Sequence, residues 1–262
     1  MKNFYFSTEK MCVGYQKPLI KEIEIGLPRG EILCLIGPNG AGKSTVLKSI
    51  AGQLRLQGGA VYLEDAVLSE MKREDLARRM SVLFTEKLRS EMQTCRDVVA
   101  TGRYPYTGWF GVLSKADWAI VDEAMGLVHV TEISGQDFSR ISDGQRQRVM
   151  LARAICQEPE IIILDEPTSY LDMRHKLEFM AVLQELKEKK GLTVIMSLHE
   201  LELAKLVADR ILCLKGEYVA RYGRPEEIFV PGFLEELFDI TEESFGANPR
   251  LLAYIRQIGS LT

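Results

Sequence analysis

The sequence has no run of apolar residues approaching the ~20 that a membrane-spanning helix needs; stretches such as 161-IIIL-164 stop after a few. It has no excess of one charge. The 33 basic and 37 acidic residues leave a net charge of -4, which removes the global electrostatic argument for a nucleic-acid or polybasic membrane binder. The start, 1-MKNFYFSTEK-10, lacks an apolar core and a small-residue cleavage site, so nothing in it directs secretion. Cysteine is sparse and scattered: Cys12, Cys34, Cys95, Cys156 and Cys213 are odd in number and too far apart for a metal cluster. They are expected to be reduced, buried thiols of a soluble cytoplasmic protein. Internal repeats and low-complexity tracts are also lacking. What is there is 262 residues, 46% apolar and 27% charged, enough to bury the core of one large α/β domain or two small ones and too apolar for disorder.

The opening reads as β. Segments 11-MCVGY-15, 21-KEIEIGL-27 and 31-EILCLIG-37 are short and separated by turn residues such as Pro18 and Pro28-Arg29-Gly30. A helix is expected over 46-VLKSIAG-52 and a further strand over 60-AVYLE-64. From about Met71 to Glu158 the periodicity turns helical, with β signal only at 81-SVLF-84 and helices near 116–128 and 144–156. The run 161-IIILDE-166 predicts a strand buried on both faces. A helix from about Asp172 to Lys190 should end at Gly191, with Lys187, Lys189 and Lys190 at its negative end. Strand 193-TVIMS-197, a helix near 200–209 and strand 210-RILCLK-215 complete an alternating β/α core. The tail after about Gly223 is mixed.

Gly37-x4-Gly42-Lys43-Ser44 fits the G-x-x-x-x-G-K-[ST] pattern, and it follows an apolar strand and opens a helix as that pattern requires. Glycines let successive amides curl around an anion, and the helix N-terminus adds partial positive charge. Lys43 would reach the β- and γ-phosphates and the Ser44 hydroxyl would ligate Mg²⁺. Asp165 and Glu166 end the buried strand, at the edge where open parallel sheets bind ligands. An aspartate there can hold Mg²⁺ directly or through water, and the next carboxylate can take a proton from an attacking water. Strand alternation would send the two acids to opposite faces. His199, at another strand terminus, is either a packed, hydrogen-bonded residue or a sensor of the γ-phosphate. Ser142 is a good N-cap for 146-RQRVMLARAICQ-157, and Gly144 allows close backbone approach; alone, this is a well-capped helix.

The strings 37-GPNGAGKST-45, 141-ISDGQRQRVMLARA-154, 161-IIILDEPTSYLD-172 and 197-SLHE-200, in that order and at those separations, resemble the ATP-binding subunit of an ABC transporter over roughly residues 10 to 220. The resemblance implies a P-loop NTPase core of α/β class, with an antiparallel β subdomain and an inserted α-helical subdomain. It implies an ABC domain over 1–225, its helical subdomain at about 86–160, and a C-terminal extension over 226–262. ATP and Mg²⁺ are the implied cofactors. Tyr15 matches the aromatic residue that stacks on adenine, and Gly37, Pro38, Asn39, Gly40, Ala41, Gly42, Lys43, Ser44 and Thr45 form the phosphate loop. Asp165 matches the Walker B aspartate, Glu166 the catalytic base, Asp172 the end of the dimer-contacting D-loop, and His199 the switch histidine. Ser142, Asp143, Gly144 and Gln145 match the signature, which in the family meets the γ-phosphate held by a second copy, so that two ATP molecules are sandwiched between two chains.

Two positions depart from the family pattern. The signature L-S-G-G-Q stands here as I-S-D-G-Q. The Asp143 charge favours the helix dipole but would repel a phosphate, so its side chain is expected to turn outward. In the Q-loop, 81-SVLF-84 is followed by Thr85-Glu86 rather than proline and glutamine; Glu86 is expected to serve as the Mg²⁺ and γ-phosphate sensor in the glutamine's stead. The string 96-RDVVATGRYPYTGWFGVLSKAD-117 and the tail over 223–229 are similar to the ATPases of iron(III)-siderophore, haem and cobalamin importers. Tyr104, Tyr106, Trp109 and Phe110 either pack the helical subdomain or receive a permease element. The implied activity is ATP hydrolysis driving import through a separate permease, with a substrate-binding protein as an indirect partner, at the cytoplasmic face of the membrane. An exporter ATPase shares every one of these motifs. A non-transport ATPase acting on nucleic acid would carry fused domains or long insertions, and the acidic balance speaks against DNA binding.

Overall fold

A computed structural model describes residues 4–84, 92–108, 110–240 and 257. The chain divides into two compact units, one made of Met1–Glu70 and Ile195–Thr262, the other of Met71–Val194; in sequence, the second interrupts the first.

The first unit opens with β1 (Phe6–Gly14), β2 (Pro18–Ile23), β3 (Gly26–Leu27), β4 (Ile32–Ile36), α1 (Lys43–Ile50), β5 (Gly58–Leu63) and β6 (Ala66–Val67). An antiparallel sheet centres on β1, which pairs with β2 on one side and β5 on the other, with β6 beyond β5 and β3 against the start of β1. Its register sets Phe6 opposite Leu63 and Leu27, and Met11 opposite Ile23, all fully buried. The polar Thr8 is buried among them because its Oγ1 donates to the Ile23 carbonyl at 2.8 Å and accepts from the Ile25 amide at 2.9 Å. Gly59 sits where that ladder shifts register: at φ +71° a Cβ would lie 2.2 Å from the Lys10 carbonyl, so only glycine fits.

The second unit comprises α2 (Arg73–Arg79), β7 (Met80–Leu83), α3 (Cys95–Ala100), α4 (Lys115–Leu127), α5 (Asp143–Cys156), β8 (Ile161–Leu164) and α6 (Met173–Lys190), and the chain leaves it through β9 (Thr193–Ser197). β7 runs parallel to β8, with Met80 opposite Ile161. Helices α3, α4 and α5 pack on one another, and each begins with a reciprocal capping box: Thr94 with Asp97, Ser114 with Asp117, Ser142 with Gln145. Such caps satisfy otherwise orphaned amides and are worth about 1 kcal/mol each. α6 ends as expected at Gly191, in the left-handed conformation at φ +64°.

Back in the first unit come α7 (Leu201–Val207), β10 (Arg210–Lys215), β11 (Tyr218–Gly223), α8 (Pro225–Ile228) and α9 (Phe233–Leu237). β10 pairs in parallel with the wholly buried β4 and antiparallel with β11. Up to residue 240, the stretch that reads as mixed in sequence is anchored: Ile228, Phe233, Leu234 and Leu237 are buried, and the Arg221 guanidinium stacks 3.9 Å from the Phe233 ring. Three local expectations are corrected. Pro18 starts a strand instead of marking a turn, β1 begins five residues earlier than the run 11–15, and α1 starts at Lys43 inside the glycine-rich string. All five thiols are free and four are buried, with Cys156 and Cys213 pushed up to about 12 by burial. Among the described residues no helix is long and apolar enough to cross a membrane. The class is α/β, with parallel strands, an antiparallel β subdomain and an inserted helical subdomain.

Candidate functional site

In the first unit, β4 runs into the loop 37–42 and the loop into α1. Gly37 has φ +148°, and a Cβ there would lie 2.1 Å from the Leu214 carbonyl on β10, so the turn off the strand admits no side chain. The N-cap of α1 is Gly42, in the left-handed conformation at φ +90° with no side-chain cap. The helix therefore starts without a side-chain acceptor for its first amides, the arrangement that suits an incoming anion. Lys43 is buried and its Nζ donates to the carbonyls of Gly37 at 2.8 Å and Pro38 at 3.1 Å, which arches the ammonium over the loop spanning Pro38, Asn39, Gly40 and Ala41. Ser44 and Thr45 follow in the first turn, Thr45 buried.

Two further candidates lie in the same unit. Tyr15 is 64% exposed while its carbonyl accepts from Gln57 Nε2 at 2.9 Å, so the backbone is held and the residue is open to solvent. His199 is exposed just past β9. The preceding Leu198 amide donates to the Leu35 carbonyl of β4 at 3.1 Å, which sets His199 at the strand end that feeds the loop 37–42. His199 is therefore not buried in the core.

In the second unit, β8 stops at Leu164, so Asp165 and Glu166 lie beyond the strand. Asp165 is 3% exposed and its amide still donates to the Leu83 carbonyl at 2.9 Å. Glu166 takes a left-handed conformation at φ +49° and is half-buried. Strand alternation is thus not what separates the two acids; the backbone turns between them. A left-handed glutamate costs about 1 kcal/mol or more and persists only where its surroundings hold it. Here Ser169 Oγ reaches Glu166 Oε2 at 3.3 Å, and the Ser169 amide donates to the Glu166 carbonyl at the same distance.

The segment 142–145 belongs to this unit as well. Ser142 Oγ accepts from the Gln145 amide at 3.2 Å and Gln145 Oε1 accepts from the Ser142 amide at 3.0 Å. The Asp143 carboxylate turns to Arg146 at 2.6 Å. Gly144 faces the Tyr170 carbonyl, which a Cβ would approach to 3.5 Å. Asp172 caps α6, accepting from the His175 amide at 2.9 Å, and that bond holds its carboxyl below the usual range. Glu86 and Trp109 lie outside the described residues. Of the other aromatic candidates, Tyr104 and Phe110 are 56% and 90% exposed, whereas Tyr106 donates its hydroxyl to the Gln157 carbonyl at 2.9 Å.

Two residues that sequence reasoning missed shape this region. Gln147 is buried and its Nε2 donates to the Pro167 carbonyl at 2.9 Å; the available signal was a glutamine on the apolar face of α5, which must find a buried partner. Arg103 pairs with Asp117 at 3.0 Å and Glu158 at 2.9 Å and donates to the Cys156 carbonyl at 2.9 Å, pinning the segment after α3 to the far end of α5. Among the described residues no group of three or more His, Cys, Asp or Glu could by itself cage a metal. Ser44 in the first unit offers a hydroxyl and Asp165 in the second a buried carboxylate, and each is a hard-oxygen donor of the kind that Mg²⁺ takes beside water and phosphate.

The ABC transporter family model matches residues 20–169. An uncharacterized ABC transporter ATP-binding protein of Methanocaldococcus jannaschii is 43% identical over 239 residues, 91% of this chain and 82% of that one. The iron(3+)-hydroxamate import ATP-binding protein of Bacillus subtilis is 35% identical over 238 residues, 90% of this chain and 88% of its own. Among solved structures, an ATP-binding cassette captured as a dimer after hydrolysis with ADP and Pi superposes at a TM-score of 0.74, with 24% identity, over 84% of this chain and 98% of that one. The chain belongs to the ABC transporter family, as one of its ATP-hydrolysing subunits.

Proposed function

We propose that the chain powers import of an iron(III)-siderophore, or of haem or cobalamin-type cargo in the same chemical class, through a separate membrane permease that receives its substrate from a binding protein. The observation that carries this reading is the similarity to the hydroxamate importer subunit along nearly the whole of both chains. The chain would work at the cytoplasmic face of the membrane, held there by the permease, with residues 1–225 as the nucleotide-binding domain and 226–262 as an extension. Nucleic acid is not a partner.

In this reading two copies close around two ATP molecules, each copy's phosphate loop facing its partner's Ser142, Asp143, Gly144 and Gln145. Tyr15 stacks on adenine. Lys43 and the first amides of α1 take the phosphate oxygens, Glu166 accepts the proton of the attacking water, and His199 steadies the γ-phosphate. Ser44, Asp165 and Glu86 would hold Mg²⁺; the ion, when bound, would neutralise charge developing on the transferred phosphoryl group. Asp172 lies at the contact between copies, and Glu86 relays the nucleotide state to the helical subdomain.

The test uses cells deleted for this chain and given a radiolabelled ferric siderophore. Uptake should be lost, restored by the wild type and not restored by Glu166→Gln. Hydrolysis in the purified protein without any effect on uptake would overturn the cargo assignment, and a purified chain that neither hydrolyses ATP nor pairs would overturn the mechanism. Unchanged hydrolysis and permease stimulation in Glu86→Ala would remove Glu86 from its sensing role.

A further inference from the structure

The segment assigned to the partner's triphosphate carries a charge that opposes its task. Asp143 stands in the first turn of α5, where a carboxylate suits the helix dipole but repels an approaching polyanion. The carboxylate is already engaged: Arg146, one turn along, meets Oδ1 with Nη1 at 2.6 Å.

Arg146 is itself braced. Its Nη2 reaches the Ser139 carbonyl at 3.4 Å and the Ile141 carbonyl at 3.5 Å, and its guanidinium lies 5.6 Å from the centre of the buried Phe138 ring. The Arg146 side chain is 25% exposed against 56% for Asp143, so the less mobile partner is the cation. A surface pair of this kind adds little to folding. Its consequence lies with a third charge: an unpaired carboxylate would act on phosphate across the ~8–10 Å over which salt leaves charges unscreened.

We propose that Arg146 is a positioning residue that neutralises Asp143 and holds its carboxylate aside, which makes an aspartate-bearing signature competent to receive the γ-phosphate. The proposal rests on the sandwich reading above. It predicts that losing Arg146 weakens nucleotide-driven closure only while Asp143 is charged.

The test is a double-mutant cycle read in two ways: ATP-driven pairing followed by sedimentation in a Glu166→Gln background, and steady-state hydrolysis in the otherwise wild-type chain. Arg146→Ala should raise the ATP concentration for half-maximal pairing, and KM, by about tenfold with kcat within about twofold. Adding Asp143→Asn should restore both to within about twofold. The Arg146→Ala defect should shrink as salt rises from about 0.05 to about 0.5 M. If Arg146 touches phosphate itself, the double variant stays as weak as Arg146→Ala. If it merely braces residues 138–141, the defect persists after Asp143→Asn and appears with lowered melting; either result overturns the proposal. A parent Glu166→Gln protein that binds no ATP and stays monomeric overturns the sandwich reading itself, and the proposal with it.

Discussion

Gln147 Nε2 donates to the Pro167 carbonyl at 2.9 Å, which ties the first turns of α5 to the residue that follows Glu166. Both partners are buried, so Gln147→Ala orphans a carbonyl at a cost of about 1–3 kcal/mol. The same loss frees the turn that holds Glu166 in its left-handed conformation. A displacement of 1 Å at a reacting group can cost ~100-fold, and partial release should lower kcat about 10-fold with KM for ATP nearly unchanged. Gln147→Glu, which keeps the size but cannot donate when ionised, should match the alanine variant in kcat. Urea unfolding and steady-state hydrolysis measure the two effects; lowered stability with kcat intact would make Gln147 purely structural.

Lys43 and Glu166 should fail in different ways. The Lys43 ammonium now donates to the Gly37 and Pro38 carbonyls, partners it can exchange for phosphate oxygens with little reorganisation. Charge-assisted bonds of this kind are worth about 1.5–3 kcal/mol, so Lys43→Ala should weaken ATP binding roughly 10- to 100-fold. Glu166→Gln keeps shape and hydrogen bonding but removes the base. Turnover should fall by about 10² to 10⁴, ATP affinity should remain, and paired protein should accumulate. Titration with a fluorescent nucleotide separates the first variant from the second, and phosphate release completes the comparison.

Arg103 is a buried cation of the second unit, its side chain 6% exposed between Asp117 and Glu158. Breaking such a pair typically costs ~3–5 kcal/mol. Glu158 is 46% exposed and can turn to water, so Arg103→Ala should lose about 3 kcal/mol in denaturant unfolding. Lysine should rescue little, because one ammonium cannot reproduce a guanidinium fork serving several acceptors. Asp117 adds a pH signature. Hydrogen bonds from Ser114, and then Arg103, hold its carboxyl below 3.8. A depressed folded-state value means that its contribution is present above the unfolded value and disappears as pH falls through the folded one. As pH falls from about 5 through that depressed folded-state value, the wild type should therefore lose stability more steeply than Asp117→Asn, and the gap between the two should close at the acid end.

What the sequence made legible was what neighbouring residues decide among themselves. The phosphate loop, the Ser142 cap and the Gly191 terminator depend on backbone chemistry within a few positions, and all are readable from residue type and spacing. What depended on distant partners was not legible. Gln147 and Pro167 are 20 residues apart and Arg103 and Glu158 are 55 apart, and no local pattern announces either pair. The Asp165–Glu166 geometry was misjudged because the apolar run gives no sign of where β8 stops; the last bond of the ladder, from the Asp165 amide to the Leu83 carbonyl, belongs to the neighbouring strand. β11 escaped for a related reason. Tyr218–Gly223 is partly exposed on all but its last residue, so it shows no clean alternation, and only its pairing with β10 makes it a strand.

The aromatic cluster after α3 divides by its hydrogen bonds, and that division makes its role testable. Tyr106 is committed to the fold: its hydroxyl donates to the Gln157 carbonyl, and its ring lies 4.1 Å from the Arg103 guanidinium. Tyr106→Phe should cost about 1 kcal/mol of stability and leave coupling to a permease intact. Tyr104 and Phe110 are 56% and 90% exposed, so truncating them removes little from the core, while exposed aromatics are frequent anchors at interfaces, worth ~2 kcal/mol or more each. The double change Tyr104→Ala with Phe110→Ala should keep basal hydrolysis and the melting temperature near wild type, yet cut permease-stimulated hydrolysis about 10-fold or more in reconstituted vesicles. Full stimulation in that double variant would return the docking role to residues elsewhere in the helical unit, and a fall in melting temperature without loss of stimulation would make the pair a packing feature.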